Sequence, residues 1–543
     1  MAFRGYNKLK VLVLDDFDSF RMTVAKMLDS FGVKSIDTAS SGEEALRMCQ
    51  GGSYDLILSD FNLGAGRSGL QVLEELRHRG ILRKRDVFVL VSAETSKSIV
   101  LAATDAEPDA YLSKPITARA LQQRLDRVLS QRDQLQEVYK ALDNGDVDTA
   151  IHDCYEKINS GHRLSGFCQK ILGELLLEVN QLDEAEALYR SVLEIRSLDW
   201  AQLGMAKVQQ LKGDLETAER WFKEVVEQHP LCLKAYDNLV EVYQTLEAKD
   251  AMQDVLMEAV KVSPLALLRQ EKLAQVSATN GDFETSVRAY RKVVRLADKS
   301  IHKKSSQALE FAHSLVRLGE QDPSAAKDVH REALRVLDEA STNSDDAVYN
   351  MQSKLVQAQL LSQQGNTKAA NQILDSFRQT LNKLEEPVPL EVELDFVKAL
   401  GMTGVKAEVK DRLNELSVRL KDDEEGLKKL DQLLDEPMSK MNRKLVAKIN
   451  KDGIKNYESK NFKAAISAFM HAKSLFPNHV GVRLNLVQSL LGEMEEYGCE
   501  RELMDEAIGS LNKVTESIDA QHPQFKRFRQ LQEIHRSLVL RNA

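Results

Sequence analysis

Five side chains near the start of the chain are of types that could together handle a phosphoryl group: Asp15, Asp16, Asp60, Ser92 and Lys114. Three carboxylates brought to one place repel one another unless a cation sits among them, and oxygen-only ligands favour a hard ion such as Mg2+. Such an ion lowers the electrostatic cost of an anion approaching Asp60. It could bridge the attacking carboxylate and one equatorial oxygen of a phosphoryl group, while the Lys114 ammonium pairs with a second oxygen and the Ser92 hydroxyl bonds a third. Asp60 is then the nucleophile and the product an acyl phosphate. Taken singly, the same residues have plainer readings. An aspartate after a strand is commonly a turn or N-cap residue, and a lone lysine is a solvated one.

The elements that must position these groups are legible as alternating apolar runs and amphipathic stretches. Strands are expected at Lys10 to Leu14, Lys34 to Ala39, Tyr54 to Leu58, Val87 to Val91 and Ala110 to Leu112. Helices are expected at Ser19 to Phe31, Gly42 to Gln50, Gly69 to Arg79, Ser96 to Thr104 and Ala118 to Ser130, the second opened by a Ser41/Glu44 capping box. Five strand-helix pairs imply an α/β, flavodoxin-like doubly wound sheet of five parallel strands. Ligands of such sheets collect beyond the carboxyl ends of the strands. Asp15 and Asp16, Asp60, Ser92, and Lys114 followed by Pro115 lie at four of those ends.

In order and spacing, the acidic pair, Asp60, the Ser92-Ala93 pair, Tyr111 three residues before the lysine, and Lys114-Pro115 resemble a two-component response-regulator receiver domain. The resemblance implies that Asp60 is the phosphoacceptor and that Ser92 and Lys114 assist. It implies that Asp16 and Asp60 bind Mg2+ directly, Asn62 through its main-chain carbonyl and Asp15 mainly through water. Ser92 and Tyr111 become a switch pair, and the Lys114-Pro115 peptide is expected to be cis. One departure stands out in SDFNLGAGRSG, residues Ser59 to Gly69: the family's Met-Pro is replaced by Leu63-Gly64, and the following glycine comes one position late, at Gly69. The loop is a residue longer, and Gly64 and Gly66 are free to take positive φ.

Strands disappear beyond about Gln131 and helical periodicity takes over. Gly-Asp pairs at 145-146, 213-214 and 281-282 are spaced by 68 residues, twice the 34 of a tetratricopeptide (TPR) helix hairpin. On that template a bulky residue recurs at Cys154, Tyr189, Phe222, Leu256 and Tyr290, with a small one four positions earlier at Ala150, Ala185, Ala218 and Ser286. Gly365, Ala370 and Leu374 keep the pattern, Gly453, Ala465 and Phe469 restore it, and Glu385 to Pro389 and Lys421 to Gly426 interrupt it. This portion resembles TPR proteins. The expected organisation is a receiver at 9-130, TPR-like repeats at 131-300, degenerate helical repeats at 301-440, and a C-terminal TPR-like repeat with capping helices at 441-543.

At 543 residues the chain is too long for one ordinary core. Its net charge of -9 disfavours nucleic acid as a partner. Two basic stretches, Arg77 to Arg85 and Lys526 to Arg541, are read as solvated faces. The five scattered cysteines, Cys49, Cys154, Cys168, Cys232 and Cys499, form no CxxC pair. No apolar run is long enough to span a bilayer, and MAFRGYNKLK lacks the apolar core of a secretory signal, so a cytoplasmic protein is expected. Stacked hairpins offer a long concave surface and no catalytic pocket by default. The expected function is a phosphorelay response regulator. A sensor histidine kinase or phosphotransfer protein phosphorylates it on Asp60, and its output is binding of a protein partner through the TPR repeats. It is not expected to be an enzyme beyond assisting its own aspartyl phosphorylation and dephosphorylation. The rival reading is a constitutive TPR scaffold whose receiver docks or competes for a kinase without phospho-switching; a nucleic-acid binder ranks last. Neither the partner's identity nor the oligomeric state is encoded legibly.

Overall fold

The computed structural model describes residues 3–93, 97–327, 329–342, 344–384, 386–498 and 500–542. Of the residues named above, Met1, Ala2, Ser96, Glu385 and Cys499 lie outside them. The chain divides into two compact units, one of Met1–Val276 with Arg288–Lys304 and one of Ser277–Val287 with Ser305–Ala543.

The first unit opens with β1 (Lys10–Leu14), α1 (Asp18–Ser30), β2 (Ser35–Ala39), α2 (Gly42–Gly51), β3 (Leu56–Asp60), α3 (Gly69–His78), β4 (Val87–Ser92), α4 (Lys97–Asp105), β5 (Ala110–Ser113) and α5 (Ala118–Gln134). The strands form one parallel sheet in the order β2-β1-β3-β4-β5, the flavodoxin-like α/β arrangement. Successive side chains on a strand point to opposite faces. Val11, Val13, Leu56, Leu58, Val87 and Val89 accordingly pack with Val24 and Leu28 of α1 and Leu121, Leu125 and Leu129 of α5. Their neighbours Leu12, Leu14, Ile57, Phe88 and Leu90 pack with Ala45 and Leu46 of α2, Val72, Leu73 and Leu76 of α3, and Ala103 of α4. Both faces are thereby covered, which is why the strands read as continuous apolar runs.

Register then fixes the site. Leu14 lies beside Ser59, Asp60 beside Val91, and Ser92 beside Ser113. The residues that follow β1 and β5 therefore emerge level with Asp60, at the crevice where strand order reverses between β1 and β3. The third strand runs to Asp60 itself, two residues further than the apolar pattern suggests, because its carboxyl end pairs with β4. The Lys114-Pro115 peptide is cis.

Behind the receiver the chain is all-helical. The hairpins of the first unit comprise α6 (Gln136–Asp143), α7 (Val147–Asn159), α8 (Ser165–Glu178), α9 (Leu182–Ile195), α10 (Asp199–Lys212), α11 (Leu215–Gln228), α12 (Leu233–Thr245), α13 (Lys249–Val262), α14 (Leu267–Thr279) and α15 (Phe283–Leu296), the last two reaching partly into the second unit. The Gly-Asp pairs explain the hairpin turns. Gly145 and Gly213 hold positive φ, and the Asp146 and Asp214 carboxylates accept from the N–H groups of Thr149 and Thr217 to cap α7 and α11. The alternate turns use Asn180 and Glu247 at φ 60 and 55. The repeat is therefore continuous in conformation even where its glycine signature lapses. Tyr189 is buried against Gly173 and Gly204; a Cβ at Gly204 would lie 2.2 Å from the tyrosine ring. The small residues thus admit the bulky ones.

In the second unit the same devices return between Ser305 and Asn542. Gly365 has positive φ and Asn366 caps Thr367–Leu381. Asn461 caps Phe462–Leu475, whose Ala465 and Phe469 are buried, the phenylalanine against Gly453. Asp423, within the interrupting Lys421 to Gly426 stretch, caps the short helix Glu424–Leu430. Among the described residues no helix is long and apolar enough to cross a membrane. Cys49, Cys154, Cys168 and Cys232 are free thiols.

Candidate phosphoryl-transfer site

The carboxylates of Asp15, Asp16 and Asp60 each present an oxygen within 4.8 Å of the others. Asp15 and Asp60 are buried and Asp16 is exposed, so the cluster opens to solvent on the Asp16 side. Lys114 reaches across from β5 and places its ammonium 2.7 Å from Asp15 Oδ2 and 3.2 Å from Asp60 Oδ2. Asp15 is fixed from its other side by the Phe17 N–H, which donates to Oδ1 at 2.8 Å. Burial pushes the Asp60 carboxyl up to about 6; Lys114 pulls it down, and Asp15 adds to the rise. A cation among the three oxygens would favour the ionised form and so the nucleophile. The oxygen-only donor set fits a hard divalent ion.

Ser92 ends β4 and is buried, and Tyr111 is half-buried on β5 beside Leu90. The Asn62 side chain is engaged within its own loop, accepting from the Gly64 N–H at 3.2 Å. Structure thus brings Asp15, Asp16, Asp60 and Lys114 into one constellation and sets Ser92, Tyr111 and Asn62 on the elements that flank it.

The long loop after Asp60 is held on several sides. Gly64 has φ +71, as its sequence allows, whereas Gly66 does not take positive φ; a Cβ there would meet the Glu43 carboxylate at 2.7 Å. Arg67 joins Glu43 at 3.3 Å and the buried Glu75 at 2.9 Å. Ser68 and Gln71 form a full capping box that starts α3. At Ser41 the box is only half made: its hydroxyl caps Glu44, but the Glu44 carboxylate turns to Ser40. Gly69 is required by close approach, since a Cβ would fall 2.0 Å from the Asp60 carbonyl oxygen.

Three contributors escaped the sequence reading. Phe20 lies under the Lys114 ammonium, 4.0 Å from ring centroid to Nζ, and Arg21 donates to the Asp15 carbonyl at 2.6 Å. Both sit in the first turns of α1, where amphipathic phase gives no hint of them. The third is Lys299, whose ammonium donates to the Ala65 carbonyl in the loop following Asp60. No local signal could have found a contact across 234 residues.

The repeats meet the receiver through this loop, α3 and the end of α4. Gln71 donates to the Asp298 carbonyl at 3.1 Å, and His78 packs edge-on against His302. Within the basic stretch Arg77 to Arg85, Arg79 pairs with Glu75, Arg83 with Asp86 and Arg85 with Asp143 of α6, while Arg77 donates to the carbonyls of Ala106 and Glu107.

Residues 11–126 match the response regulator receiver domain, and residues 200–224 match a tetratricopeptide repeat. Chemotaxis protein CheY-3 of Vibrio cholerae is 30% identical over 120 residues, 22% of this chain and 91% of that protein. Chemotaxis protein CheY of Pseudomonas aeruginosa is 28% identical over 22% of this chain and 95% of its own. A solved structure of chemotaxis response regulator CheY4 of Vibrio cholerae is 30% identical over 22% of this chain and 98% of that one, with a TM-score of 0.21. The chain belongs to the response regulators, with their receiver domain at its N-terminus and a TPR-containing helical region behind it.

Proposed function

We propose that the protein is a phosphorelay response regulator, phosphorylated on Asp60 by a histidine kinase or phosphotransfer protein, with output by protein binding through its repeats. The observation that carries this is the Lys114 ammonium spanning Asp15 and Asp60 beside the exposed Asp16. Asp16 and Asp60 would hold Mg2+ directly, Asn62 through its carbonyl and Asp15 through water; the ion, when bound, neutralises charge on the transferring phosphoryl group. An Asp60 carboxylate oxygen bonds to phosphorus as the bond to the donor's leaving group breaks, and the leaving group departs with the electron pair. Lys114 moves from Asp60 to a phosphoryl oxygen while keeping Asp15, and the Ser92 hydroxyl donates to another. Tyr111 then follows Ser92 as the second member of the switch. The functional divisions we assign are 9-130, 131-300, 301-440 and 441-543.

The rearrangement reaches the repeats through the loop that Lys299 holds and through α3 and α4, and so alters what they can bind. The test is incubation with acetyl phosphate and Mg2+: a mass gain of one phosphoryl group is expected, absent in Asp60→Asn. No Asp60-dependent gain would leave the constitutive scaffold as the better account.

A further inference from the structure

The first helices of successive hairpins, α8, α10 and α12, line a cleft of about 650 Å³ into which the receiver projects the turn after α4, and α14 flanks the same turn in an adjoining hollow. That turn is acidic. Arg269 of α14 grips the Asp105 carboxylate through both terminal nitrogens, one at 3.0 Å, while its Nε and Nη2 hold Asp237 at 2.7 Å. Ser263 adds a hydroxyl to Asp105 at 3.2 Å, and Lys234 of α12 pairs with Glu107 at 2.8 Å. Burial by itself would lower the Arg269 guanidinium, but its bonds to Asp237 and Asp105 more than offset this and hold it above its ordinary value.

The receiver presents this turn at a conformational cost. Glu107 sits at φ 47, a left-handed conformation that bulky residues rarely adopt, and Arg77 clamps the turn by donating to the carbonyls of Ala106 and Glu107. The turn thus occupies the groove as a bound peptide would. An apolar helix, with Leu101 on the cleft wall, ends in two carboxylates two residues apart that find an arginine and a lysine. Beyond Glu107 the cleft runs on past Lys170, Trp200 and Lys207. Withdrawing the receiver would strip Arg269 of Asp105 and Lys234 of Glu107. Arg269 would keep Asp237, but the terminal nitrogen it gives to Asp105 alone and the Lys234 ammonium would each lose a carboxylate partner.

Resting on the reading that the repeats are a protein-binding output, the geometry points to this cleft as the partner groove, and to an acidic segment, an apolar helix closed by an Asp-x-Glu pair, as its ligand, in competition with the receiver's own Asp105 and Glu107. The receiver is then a tethered competitor whose high local concentration keeps the groove closed until it moves.

The probe is a fluorescent peptide of residues 97–110 of this chain, titrated against the full-length protein. Asp105→Ala with Glu107→Ala should bind it at least about tenfold more tightly than the wild type, since the internal competitor has lost its charges. A peptide with Asn and Gln at the two acidic positions should not bind. Lys234→Ala, at an exposed position, should weaken binding at least about threefold in the freed background without disturbing the core, and adding Arg269→Ala should abolish it. The proposal is overturned if the freed variant binds no better than the wild type, if the neutral peptide binds equally, or if Lys234→Ala changes nothing. Asp60 phosphorylation by acetyl phosphate is followed in every variant. Peptide failure with phosphorylation intact removes the competition alone, whereas absence of phosphorylation in the wild type removes the regulatory reading beneath it.

Discussion

Glu74 gives the sharpest test of how the receiver rests on the repeats. It is a half-buried acid of α3 in the cleft shared with α12 and α14, where Arg77, Asp105, Asp237, Arg269, Lys272 and His302 also face. Burial, with the Asp105 charge acting in the same sense, raises its carboxyl from an ordinary 4.5 to about 7. At 1.36 kcal/mol per pH unit that difference corresponds to about 3 kcal/mol as an upper bound, and residual contact with water brings it to about 1–2 kcal/mol. The sign follows from linkage. The folded value lies above the unfolded one, so the protonated acid is favoured by folding; the stability it contributes is fully present below 4.5, declines as pH rises, and is lost once pH passes about 7. Glu74→Gln keeps the shape and removes the charge. Urea unfolding of the full chain, followed by hydrogen exchange in α3, should show the variant equal to the wild type at pH 4.5 and about 1–2 kcal/mol more stable at pH 8.5. Parallel profiles for the two proteins, or the same gain at both pH values, would refute the reasoning.

Two further substitutions probe the site and the repeats. Gly69→Ala puts a methyl 2.0 Å from the Asp60 carbonyl oxygen, a backbone atom that cannot step aside, so a loss of about 1–3 kcal/mol and failure of Asp60 phosphorylation are expected; Gly66→Ala, which meets only the movable Glu43 carboxylate, should keep both stability and phosphorylation. Phe222→Ala empties a fully buried position between hairpins and should cost about 3–5 kcal/mol, read as a fall in the urea midpoint of the helical signal.

The receiver was readable because its chemistry sits at strand ends. Once five apolar runs are assigned to one parallel sheet, register alone sets the ends of β1, β3 and β5 level, and Asp15, Asp60 and Lys114 meet. The hairpins were readable where Gly-Asp pairs mark their turns and obscure where Asn180 and Glu247 do the same work with a side chain. Capping chemistry was misjudged in both directions: Glu44 found a closer partner in Ser40, while the complete box at Ser68 and Gln71 lay unnoticed within the unusual loop. The basic stretch at Arg77 to Arg85 showed its charge but not all its partners: Glu75, one helical turn before Arg79, was within reach of the linear pattern, whereas Asp143 comes from packing that the pattern does not carry. Of the candidate residues, the acidic cluster and Lys114 were found from type and spacing; Phe20, Arg21 and Lys299 depend on helix orientation and on contact between distant segments.

Lys299 reaches the carbonyl of Ala65, in the loop that is one residue longer than in the receiver family it resembles. That makes the receiver a poor candidate for exchange. A receiver grafted from a relative with the shorter loop would bring every acidic residue and the lysine with it, yet present a different backbone to Lys299. Such a chimera would keep its chemistry and lose its connection, so the loop and Lys299 have to be transplanted together although 234 residues of chain separate the two ends of their hydrogen bond.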